Sequence, residues 1–163
     1  MGVSIRDCMI GKWVFSQNEM DTLIKKACDI IHNDFKQWEQ PTLIHHDINL
    51  GNIFIKKSPK FEIMIFDLDA ELSHPMEDLV LPSMDAWYQE KEFTTSYTDH
   101  GGTYNEDVIN AYRFLLCIRR WTRAYYRAEN MCKNEKDKAH FAQRAQKLIS
   151  RAKISAENIK KMK

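Results

Sequence analysis

The sequence predicts an α+β protein, mostly helical, with one small β-hairpin. Two apolar runs, Ile53 to Ile55 and Phe61 to Phe66, flank a Lys57-Ser58-Pro59-Lys60 turn, the pattern of two strands joined by a short reversal. Three longer stretches repeat apolar residues at helical spacing. Polar residues mark both ends of the hairpin, with Asp47 and Asn52 before the first strand and Asp67 and Asp69 after the second. An antiparallel pair sets the start of one strand beside the end of the next, so Asn52 and Asp67 converge at one end. Two oxygen ligands with a carboxylate nearby suit a hard cation such as Mg²⁺, which takes few protein ligands and completes its shell with phosphate oxygens.

The elements follow in order. Ser16-Gln17-Asn18-Glu19 is a capping-box pattern that starts a helix carrying Leu23, Ile24, Ala27, Ile30, Ile31 and Phe35, expected to run to about Trp38. Thr42 to Ile44 lead into the loop around His45, and the hairpin follows. Asp78 to Leu81 predict one helical turn between Pro75 and Pro82, and residues 83–104 read as irregular. A second long helix is expected from Asn105 to Asp107, where acids favour a helix start, with Ala111, Phe114, Leu115, Ile118 and Tyr125 as its stripe. A third is expected over 137–153, followed by a frayed or weakly helical tail from Ile154 to Lys163.

The 163 residues amount to one ordinary domain, and 44% hydrophobic with 29% charged residues is a folding composition. Four scattered cysteines without a C-x-x-C pair argue against a zinc site and predict a reducing, cytoplasmic setting. No apolar run reaches the roughly 18 residues that span a bilayer, and no basic-then-apolar signal region opens the chain, so no membrane partner is expected.

The net charge of +1 conceals a strong asymmetry. Residues 71–107 carry nine acids and one lysine, and residues 108–163 carry fifteen bases and four acids. The acidic block also holds five aromatics, a surface attractive to cations, with Asp85, Glu90 and Glu92 as candidate acceptor-binding residues. Arg119, Arg123 and Arg127 recur at helical spacing near Trp121, Tyr125 and Tyr126, a pattern read as a solvated helix face rather than a nucleic-acid site.

His45-x-Asp47-x4-Asn52, followed by a strand and Asp67, resembles the catalytic loop and metal segment of the kinase superfamily. Gly51, Asp67-Leu68-Asp69 and Asp78-Leu79 are closest to the aminoglycoside phosphotransferase and choline kinase branch, with a departure at His46, where that branch has Gly. The resemblance implies the C-terminal lobe of a kinase-like fold over residues 16–130, with the basic helix and tail of 131–163 beyond it. It implies Asp47 as catalytic base, Asn52 and Asp67 as ligands of the Mg²⁺ that bridges ATP or GTP phosphates, Asp69 as a further ligand, and His45 and Asp78 as structural residues. The expected activity is phosphorylation of a small, cationic hydroxyl compound, an amino sugar or amino alcohol. Too few residues precede Ser16 for the nucleotide-covering N-terminal lobe, so the chain is expected to be either a truncated or split kinase whose other half is a separate polypeptide, or a minimal version that binds metal and nucleotide weakly by itself. The alternative is a non-catalytic remnant that binds ligand or partner.

Overall fold

The computed structural model describes residues 14–37, 42–57, 59–84 and 90–162, without the side chains of Leu50, Ser83, Glu90 and Lys91. It is α+β and mostly helical, with two small antiparallel sheets. In chain order the elements are α1 (Gln17–Phe35), β1 (Thr42–Ile44), a 3₁₀ turn (Leu50–Asn52), β2 (Ile53–Lys56), β3 (Glu62–Ile65), β4 (Glu71–Ser73), α2 (Met76–Met84), α3 (Glu90–Asp99), α4 (Glu106–Asn130) and α5 (Glu135–Lys161). The chain divides into two compact units, one of residues 14–31 with 110–162 and the other of residues 32–109 within the described segments.

The first unit is helical. The predicted capping box starts α1: the Ser16 hydroxyl accepts the Glu19 amide N–H at 3.2 Å, and Glu19 Oε2 accepts the Ser16 N–H at 3.0 Å. The apolar faces of α4 and α5 bury Phe114, Cys117, Trp121 and Ala124 on one helix, and Leu148, Ile149, Ala152, Ala156 and Ile159 on the other. Phe15 stands edge-on to Phe114 at 6.2 Å. Lys26 Nζ donates to the Met162 carbonyl at 2.6 Å, placing a cation at the negative end of α5. Asn134 caps the other end of α5, its side-chain oxygen accepting the Asp137 N–H at 2.8 Å. Of the two readings of the tail, frayed or weakly helical, the helical one holds: α5 continues to Lys161 because Ser155, Ala156 and Ile159 extend the buried stripe of Ala145 to Ala152 by a further two turns.

The second unit carries the strands. β2 pairs with β3 in the register Ile53↔Ile65 to Lys56↔Glu62, the expected hairpin. A second pair, β1 with β4, was not expected and joins Thr42↔Ser73 to Ile44↔Glu71. Its inward groups are Ile44, His45 and His74, buried with Met76, Leu79 and Val80 of α2. Pro82 removes one main-chain donor from α2, which ends two residues later. Within the stretch expected to be irregular, Glu90–Asp99 form α3, closed by a left-handed Gly101 at φ 85°. Gly101 N–H bonds to Thr98 O and Gly102 N–H to Tyr97 O, the paired bonds of a Schellman end. A side chain at Gly102 would meet the Tyr97 ring at 2.3 Å. α1 stops at Phe35, with Lys36 and Gln37 in a turn, and Trp38 lies outside the described residues.

Two measurements test the helical core. Phe114→Ala is expected to lower unfolding free energy by about 3–5 kcal/mol in urea titrations, and a loss under about 1 kcal/mol would contradict a fully buried ring. Burial pushes the Cys117 thiol from 9.0 up to about 11, against the opposing field of Arg151, Arg120 and Arg113. The unfolded thiol therefore ionises first: this contribution to stability is full below pH 9 and is lost as pH rises toward 11. The alkaline fall of unfolding free energy is expected to be shallower in Cys117→Ser, by on the order of 2 kcal/mol across that window.

Candidate functional site

The loop between β1 and the 3₁₀ turn has few main-chain bonds of its own, so side chains hold it. Asp78, in the first turn of α2, takes the His45 N–H on Oδ2 and the His46 N–H on Oδ1, both at 2.7 Å. The His45 ring bridges loop and hairpin. Its Nδ1 accepts the Asp47 N–H at 3.3 Å, which leaves Nε2 to donate to the Phe66 carbonyl at 2.7 Å. Phe66 N–H in turn donates to the Asn52 carbonyl at 2.8 Å, one step beyond the Ile53↔Ile65 pair.

These bonds bring three predicted residues to one end of the hairpin. Asn52 Nδ2 donates to the Asp47 carbonyl at 2.9 Å and lies 3.3 Å from Asp47 Oδ2. Asp67 follows Phe66 directly, on a left-handed backbone with φ 55°. Asn49 closes the loop from within: its Oδ1 accepts the Gly51 N–H at 2.8 Å and its Nδ2 donates to the Asp47 carbonyl at 3.2 Å. Asp67 and Asp69 are exposed, whereas Asp47 and Asn52 are half-buried. Among the described residues no three His, Cys, Asp or Glu side chains gather as a ligand set. The donors at this end are carboxylate and amide oxygens, the chemistry of a Mg²⁺ that draws most of its shell from phosphate and water.

Of the predicted acceptor residues, Glu92 alone has a described side chain. Asp85 lies outside the described residues, and the side chain of Glu90 is not described. Glu92 is exposed on α3 and, with Thr95, Ser96, Asp99 and His100, lines a pocket of about 380 Å³. A larger pocket of about 720 Å³ is lined by Asp34, Gln37 and residues 103–107. Neither of these two pockets is lined by Asp47, Asn52 or Asp67.

Two arrangements escaped sequence reading. Buried His74 accepts the Met76 N–H on Nδ1 at 3.1 Å and donates from Nε2 to Asp34 Oδ2 at 2.8 Å, and Asp34 also bonds Asn105. The participants are 40 and 71 positions apart, so no local pattern could signal them. The other is at His46, whose two ring nitrogens each lie 3.3 Å from a carboxylate oxygen, of Glu71 and of Glu77.

The hairpin beside the site is apolar and open. Every residue of β3 is exposed, as are Phe54, Ile55, Phe61, Phe66 and Leu68, with Phe54 and Phe66 in edge contact at 6.4 Å. A two-stranded hairpin is marginal alone, and apolar side chains of this one stand open on it.

Asp78→Asn tests the bracing of the loop. The amide keeps at most one of two charged acceptor bonds, so a loss of about 1.5–3 kcal/mol is expected. Hydrogen exchange at the His45 and His46 amides is expected to accelerate more than exchange within β2, and equal acceleration would contradict a local brace. The site stands on its own geometry: no protein-family model, curated protein or solved structure matches this chain.

Proposed function

We propose that the chain carries the base and metal end of a phosphotransferase, which moves the terminal phosphate of ATP or GTP to a hydroxyl of a small acceptor. The observation that carries this reading is the 3.3 Å approach of Asn52 Nδ2 to Asp47 Oδ2, at the hairpin end from which Asp67 emerges. Asp47 is the base: it orients the acceptor hydroxyl and takes its proton, a role worth typically about 10²- to 10⁴-fold in rate. Asn52, with Nδ2 engaged by Asp47, turns amide-oxygen chemistry to a cation, and Asp67 adds a carboxylate. Asp69 stands two residues on as a further oxygen donor. Mg²⁺ bound there would neutralise charge on the nucleotide phosphates during transfer. His45 and Asp78 keep the loop in register with the hairpin, so base and metal ligands stay together.

The acceptor is cationic in this reading, an amino sugar or amino alcohol. Glu92 and Asp99 at the α3 pocket support it, because carboxylates there attract an ammonium group. The open apolar hairpin is where a surface laid over the nucleotide would exclude water from the phosphates.

Thermal unfolding with Mg²⁺ and ATP or GTP tests the metal end without requiring turnover. Nucleotide at 100 times its Kd stabilises by about 2.7 kcal/mol, which raises the midpoint by several degrees. The shift is expected to need Mg²⁺, to vanish in Asp67→Ala and to persist in Asp47→Asn. A shift that survives in Asp67→Ala, or is absent at millimolar nucleotide, would favour a non-catalytic binding protein.

A further inference from the structure

His46 adopts φ 69°, a left-handed backbone that glycine takes without strain and that other residues hold only when their surroundings fix them. The surroundings here are three carboxylates from two elements. Asp78 Oδ1 takes the main-chain N–H at 2.7 Å. Glu71 Oε2, on β4, lies 3.3 Å from Nδ1, and Glu77 Oε1, in the first turn of α2, lies 3.3 Å from Nε2. Glu77 is itself aimed, because its other oxygen accepts the Ser73 hydroxyl at 3.0 Å. The main chain of Glu71 is held by its ladder position opposite Ile44.

A neutral imidazole has one N–H and one lone pair, and in this setting the lone pair would point at a carboxylate. The imidazolium has two N–H groups and a positive charge, and satisfies both neighbours. We infer that His46 is a positioning residue, a proton-dependent clamp that ties the loop to β4 and α2 and fixes the main chain where it enters Asp47. The clamp goes beyond the phosphotransfer reading and needs only the loop geometry. The charged groups facing it are Glu71 from β4 and Glu77 and Asp78 from α2. His45 next to it is turned to the Phe66 carbonyl and the Asp47 amide instead.

The clamp is strongest with both ring nitrogens protonated and loosens when the ring carries a single N–H. Hydrogen exchange of the residue 45–52 amides in the full chain, corrected for intrinsic rates, reads this directly at about pH 5.5 and about pH 8. The wild-type loop is expected to lose about twofold to fivefold in protection at the higher pH, the size of one partly exposed ion pair. His46→Gln, which cannot titrate, and Glu71→Gln/Glu77→Gln, which keeps His46 but removes its partners, are each expected to abolish that pH response. If His46→Gln fails to fold, the double glutamine variant decides. A wild-type loop with the same protection at both pH values, or a pH response that persists in the double variant, would overturn the proposal.

Discussion

The carboxylate of Asp78 is the constraint on which the rest of the site depends. A loop that leaves a three-residue strand and must turn toward a hairpin cannot satisfy its own amides. Asp78 satisfies two consecutive ones at 2.7 Å, one on each oxygen. Charge-assisted bonds of this length are roughly twice as strong as neutral ones. They also set direction: with both amides held on α2, the His45 ring is delivered to the Phe66 carbonyl, and the main chain is delivered to Asp47. The link from helix to hairpin therefore runs through one acid and one imidazole.

The hairpin is anchored at one end only. Near Asn52 and Phe66 it has the His45 bond, the Phe66 to Asn52 bond and the Asn52 to Asp47 contacts. At its far end the Lys56 to Glu62 pair, 3.2 Å apart and about half exposed, contributes little. The hairpin's bonds to the loop are thus gathered at the end where Asn52 and Phe66 lie. The exposed apolar strands contribute little to stability in water, and they have most to gain from a surface laid over them. The site is positioned by α2 through Asp78.

The legible parts of the sequence were those whose signal is local. The capping box at Ser16 lies within four residues, and the hairpin is declared by two apolar runs and a turn. The pairing of β1 with β4 was not legible, because three-residue strands are too short for a period to show. α3 was hidden by its composition: Thr94, Thr95, Ser96 and Thr98 are weak helix formers, and Thr98 bonds back to the Thr94 and Thr95 carbonyls. The end of α5 was only half legible because its last buried turns use Ser155 and Ala156, which carry almost no hydropathy signal. Within the site, the bond of Asn52 to Phe66, just before Asp67, followed from the antiparallel rule. The pairing of His46 with Glu71 and Glu77 did not, since it depends on a fold that brings residues 25 and 31 positions away to one ring.

Strain points to the same place. Among the described residues, His46 at φ 69° and Asp67 at φ 55° are the two non-glycine residues with left-handed backbones. Each such residue costs on the order of 1–2 kcal/mol relative to glycine, somewhat less for aspartate and histidine, which tolerate the region better. Helix ends and tight turns usually absorb such conformations; here they flank the point where loop and hairpin meet. Both lie directly beside a residue of the bonded chain, His46 after His45 and Asp67 after Phe66. That chain over-determines the backbone on each side and so offsets the strain. The strain in turn tells why a short loop can turn sharply enough to set a carboxylate 3.3 Å from an amide across the base of the hairpin. Relaxing either residue to an extended backbone would swing Asp47 or Asp67 away from Asn52, and the oxygen donors would no longer share one end.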